Sequence, residues 1–163
     1  MSSLPRFAVA GGLVALAGGA SAAAAPSLPA RLVTNWNAAG EPVGTLPKSQ
    51  AIWLLPAVMI GLVALFAALP RIDPLRENIE AFRPAYDRFV VVVTLFLLVV
   101  HAGVLAFNLG YEFPFTSLIA AGIALLCYAI GDLLSTAERN WIIGIRTPWT
   151  LSDDAVWNET HRV

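Results

Sequence analysis

Charge is scarce in this sequence. Asp, Glu, Lys and Arg make up 13% of its 163 residues, against about 25% in an ordinary soluble domain. Cysteine occurs once, as Cys127, which excludes an internal disulfide and leaves the thiol to apolar packing. The two histidines, His101 and His161, lie far apart in the chain, whereas a metal site wants three or four convergent ligands. The sequences GxxxxGK, HExxH and GxSxG do not occur. No catalytic, cofactor-binding or metal-ligating residue is therefore expected, the protein is read as a non-enzyme, and nothing points to direct nucleic-acid binding.

What fills the chain instead is hydrophobic: 58% of residues. They gather in four blocks, Phe7 to Ala25, Ile52 to Leu69, Phe89 to Leu109 and Phe115 to Leu134, of which only the last contains a charge, Asp132. A helix needs about 20 mainly apolar residues to cross a ~30 Å hydrocarbon core. A chain this short has too little polar surface to wrap four such segments in water. The expectation is an all-α integral membrane protein, a single unit over residues 1–163 with four transmembrane helices. The first block, with its Arg6 start and small residues around Ser21 to Ala25, is read as a retained span, with a cleaved signal peptide as the alternative.

Alternate assignment of ends and loops puts Arg6, Arg71, Arg76, Arg83, Arg88, Arg139, Arg146 and Arg162 on one side, and Arg31 and Lys48 on the other. That split predicts both termini in the cytoplasm. Residues 26–50 then form an extracytoplasmic loop, with a turn at Asn37 to Gly40 and Trp36 as a headgroup anchor. Residues 70–88 form a cytoplasmic loop in which Asp73 caps a short interfacial amphipathic helix beginning at Pro74, with Ile72, Leu75, Ile79 and Phe82 on one face and Pro84 ending it. Pro56 predicts a kink in the second span.

Thr94, His101 and Asn108 are spaced by seven and share one stripe of the third span. His101 is read as a packed histidine bonded to a neighbouring helix, with proton sensing or gating as the competing role. Thr94 can satisfy itself on its own helix, and Asn108 can bond loop carbonyls. Asp132, near the end of the fourth span, is expected to pair with Arg139, Arg146 or an arginine of the middle loop. A small transporter or proton-coupled channel using His101 and Asp132 is the alternative function these residues leave open.

Residues 135–163 carry three of the five tryptophans among charges and read as a cytoplasmic brace on the helix ends. Gly144 permits positive φ or close approach, Thr150 is expected to cap a helix with Asp153 answering, and Arg146 can stack on Trp149 or grip a carboxylate or lipid phosphate. Asn140, Gly144, Arg146, Thr147, Thr150, Leu151, Trp157, Thr160 and His161, with Pro148 and Trp149 between, resemble the signature of the SdpI family, immunity proteins for the sporulation-delaying-protein toxin. Leu28, Pro29, Asn35, Trp36, Asn37, Gly40 and Lys48 resemble that family's companion amino-terminal motif, with Asn35 where a histidine is usual. Members of the family continue past the Thr-His pair with further spans, and this sequence stops at Val163. The resemblance implies a multi-pass protein of the bacterial plasma membrane that protects against a secreted peptide toxin met by the outer loop. It also implies a cytoplasmic transcriptional repressor as partner of the inner motif.

Overall fold

The computed structural model describes residues 4–162. Each apolar block forms one long helix: α1 (Leu4–Ala24), α2 (Lys48–Ile72), then after the short α3 (Arg76–Ala81), α4 (Arg83–Asn108) and α5 (Phe115–Thr136). The shortest of the four long helices, α1, has 21 residues, about 32 Å at ~1.5 Å per residue, enough to cross a bilayer core. The mean hydropathies of the four spans lie between 1.7 and 2.8. Helix α4 is the hub and packs against α1, α2 and α5, while α1 also packs against α2. Helix α1 approaches closely because Ala10, Ala17 and Ser21, fully buried, make one flat stripe of small side chains.

Helix α2 runs through two prolines, Pro56 and Pro70. Each lacks an N–H, so each frees the carbonyl four residues earlier, Ile52 for Pro56 and Phe66 for Pro70. Each missing donor is supplied by a different neighbouring helix. The Ser21 hydroxyl of α1 donates to the Ile52 carbonyl at 2.5 Å, and the Tyr86 hydroxyl of α4 donates to the Phe66 carbonyl at 2.6 Å. In an apolar surround an unmet carbonyl is costly, so these two bonds favour the observed seating of α1 and α4 against α2.

The all-α expectation is corrected to a mostly helical fold, because residues 26–50 contain an antiparallel hairpin of β1 (Arg31–Trp36) and β2 (Pro42–Pro47). The turn falls at Asn37 to Gly40. The Asn37 Oδ1 accepts from the Ala39 and Glu41 N–H groups, and Gly40 takes φ +83°, which a Cβ would strain. Leu32 of β1 joins Leu28, Ala51, Ile52 and Leu105 in a small core that seats the hairpin on the helix ends.

At the opposite end, α3 starts two residues later than expected, and Asp73 does not cap it. Its Oδ1 accepts from the Leu75 N–H, leaving the other oxygen for a distant partner. Ile79 and Phe82 are buried against Ala10, Tyr86, Val90, Leu133 and Ala137, so that face of α3 meets protein. Ile72 is not on it, since α2 has not yet ended, and Pro84 lies in the first turn of α4. The chain closes with α6 (Pro148–Ser152) and α7 (Asp154–His161).

Candidate functional site

Three polar assemblies stand out: one at the hairpin end, one inside the helix bundle and one at the terminal-segment end. At the hairpin end, Asn108 acts as a third strand. Its Oδ1 accepts from the Val33 N–H at 2.8 Å and its Nδ2 donates to the Val33 carbonyl at 3.0 Å, so an amide side chain on α4 imitates a peptide unit. The Lys48 ammonium donates to the Ala25 and Leu28 carbonyls and so ties off the end of α1. Trp36 stacks on Phe115 with ring centres 4.0 Å apart and meets Phe107 edge-on at 5.2 Å. Trp36 is thus a half-buried wedge between α4 and α5. The Asn35 side chain lies over Gly44, where a Cβ would sit 2.8 Å from its amide. Asn35, Asn37 and Val43 remain exposed.

Inside the bundle, His101 Nε2 and Ser21 Oγ are 2.8 Å apart, both buried. The serine has one proton, and the Ile52 carbonyl takes it. His101 must then donate from Nε2. Its Nδ1 has no hydrogen-bond partner among the described residues. Thr94 bonds the Val90 carbonyl of its own helix at 2.7 Å. Asp132 pairs with Arg88 at 2.9 Å on an exposed face near the end of α5. His101 is instead held against Ser21 of α1, so the two residues of the channel alternative are not brought together. Sequence reasoning missed Ser21 and its link to Pro56. The signal was the Ile52–Pro56 spacing, which announces a free carbonyl without saying who fills it.

The terminal segment is folded around two side chains. Asn140, fully buried, accepts from the Ile142 and Ile143 N–H groups and donates to the Glu138 and Ile143 carbonyls. Trp157, also buried, donates from Nε1 to the Ala137 carbonyl at 2.7 Å and stacks on His161 at 4.2 Å. His161 accepts the Ile145 N–H on Nε2 at 2.7 Å, and its Nδ1 donates to the Trp157 carbonyl at 2.9 Å. Gly144, at φ +117°, passes so close to both rings that a Cβ would overlap them.

The helix cap is Thr147, with Thr150 answering and Pro148 at the first position, three residues earlier than the expected Thr150–Asp153 pair; Asp153 caps α7 instead. The Thr150 hydroxyl donates to the Ile145 carbonyl, so it is buried and already committed. Thr160 satisfies itself on the Val156 carbonyl. Two contacts fasten the segment to the bundle: the Trp141 N–H donates to the second oxygen of Asp73 at 3.0 Å, and the Asn78 amide to the Arg139 carbonyl at 2.6 Å. Arg146 neither stacks on Trp149 nor meets a carboxylate among the described residues; it donates to the Trp141 carbonyl and is otherwise exposed.

Residues 136–163 match the family described as SdpI/YfhL protein family, and residues 12–60 match one described as a domain of unknown function, DUF1648. The match to the SdpI/YfhL family is confined to the terminal segment. It is also similar to "Immunity protein SdpI" of Bacillus subtilis (strain 168), at 28% identity over 135 residues, 83% of this chain. That match takes in 62% of the relative's length, so this chain spans under two thirds of it. No solved structure matches. With four spanning helices and the SdpI/YfhL segment, the protein is a multi-pass protein of the plasma membrane.

Proposed function

We propose that this protein is a membrane immunity protein that protects its cell from a secreted peptide toxin and carries no chemistry of its own. Residues 26–50 meet the toxin outside, and residues 70–88 and 135–163 face the cytoplasm, as the eight-to-two division of positive residues supports. The observation that carries the reading is the similarity to Immunity protein SdpI, which extends over 83% of the chain and so must include the hairpin. The geometry agrees with it. Lys48, Asn108 and Trp36 are occupied in holding the hairpin rigid, which leaves Asn35, Asn37 and Val43 as a preorganised outward surface. The cytoplasmic segment is the surface for a repressor, the second role implied by the family resemblance. Expression in a toxin-sensitive cell tests the reading: protection without ion flux in proteoliposomes supports it. Flux lost in His101→Ala supports the transport alternative instead.

A further inference from the structure

Trp141, Ile145 and Trp149 are 52%, 53% and 64% exposed, although the segment that bears them has a buried core of its own. Apolar side chains of this size, exposed within nine residues of one folded segment, point to a nonaqueous neighbour. Trp141, Arg146, Pro148 and Leu151 line an open hollow of about 420 Å³ completed by Thr147 and Ser152, with no acidic residue in its wall. Three of the segment's four acids are engaged elsewhere: Asp154 pairs with Arg139, Asp153 caps α7 and Glu159 pairs with Arg162, while the fourth, Glu138, lines a separate hollow with Asn78, Arg139 and Asn158. Arg146 spends one N–H on the Trp141 carbonyl, and the rest of its fork has no partner among the described residues.

We propose that this face is an interfacial footing: Trp141, Ile145 and Trp149 sit in the headgroup layer, and Arg146 grips the phosphate of an anionic phospholipid. Position argues for lipid over a soluble partner. Trp141 lies five residues beyond the end of α5 and is bonded to Asp73 immediately after α2, whose last residue, Ile72, is also exposed. The face therefore continues the lipid-facing surface of two spans at the level where tryptophan is enriched and arginine reaches phosphate.

The test uses the full chain in phosphatidylcholine vesicles containing phosphatidylglycerol. Trp36, Trp53 and Trp141 are changed to Phe, which leaves Trp149 and the buried Trp157, and a matched W149F variant isolates the Trp149 signal. Trp149 should be quenched by lipid brominated near the headgroup and little by aqueous iodide. Brominated phosphatidylglycerol should quench it as if enriched about fivefold over brominated phosphatidylcholine, the preference of one interfacial cation. Arg146→Gln should abolish that preference, and Arg162→Gln should keep it. Inorganic phosphate added to detergent-solubilised protein should leave Trp149 emission unchanged. As a check free of tryptophan changes, a nitroxide on Ile145→Cys in a Cys127→Ser background should be more accessible to oxygen than to a water-soluble nickel complex. Strong iodide quenching with no bromolipid effect, or a nickel-accessible nitroxide, would overturn the proposal and leave the face to a cytoplasmic protein. A response to free phosphate equal to that of the anionic lipid would also overturn it, as the mark of a soluble-anion site.

Discussion

Single side chains decide how the helices of this bundle meet. If Ser21 is placed by the carbonyl that Pro56 frees, Ser21→Ala should cost about 1–3 kcal/mol, since it strands both the Ile52 carbonyl and the His101 Nε2 proton. In a Pro56→Ala background, where residue 56 regains its N–H, the same change should cost about 1 kcal/mol less. Reversible unfolding in micelles measures the cycle, and purely additive costs would show that serine and proline are unrelated. Tyr86→Phe and Pro70→Ala form a second, independent cycle on the same logic. Gly144→Ala should be among the most damaging changes in the terminal segment, because positive φ strain adds to overlap with the His161 and Trp157 rings. Limited proteolysis between residues 144 and 161 should accelerate severalfold, with membrane insertion unchanged. An unaltered cleavage rate would contradict the ring-packing account.

Among the elements, the hairpin depends on α4 far more than its own length suggests, since a two-stranded ribbon alone is marginal in water. Asn108→Leu removes both bonds to Val33, and hydrogen exchange should show the Val33 amide losing protection while the amides of α2 and α4 keep theirs. The Arg88–Asp132 pair is different. It is about half exposed on both sides, so Asp132→Asn should change stability by less than about 0.5 kcal/mol. The four spans were legible in the sequence because each is a long uncharged run between charged flanks, and the turn at Asn37 was legible from Asn and Gly chemistry. The strands beside it were not: Leu32, Val33 and Thr34 give too short an alternation to be told from an ordered loop. Nor could the sequence assign the second oxygen of Asp73 to Trp141, 68 residues away. Local pattern supplied a capping role, and tertiary packing gave the carboxylate another.

For the whole molecule, orientation and function stand together, because the hairpin can meet a secreted peptide only from outside. Asn37→Cys and Ser152→Cys, each in a Cys127→Ser background, should react oppositely with an impermeant thiol reagent on intact cells, the first labelled and the second protected. Labelling of Ser152→Cys from outside would reverse every assignment of partners. The central claim is protection by a hairpin held rigid on the helix ends, and survival under toxin tests it most directly. Toxin-sensitive cells expressing the chain should survive a dose that kills cells with empty vector. Cells with equal membrane levels of Asn108→Leu should lose most of that protection. Wild-type cells that die like the vector control, with the protein inserted and Asn37→Cys labelled from outside, would contradict the account.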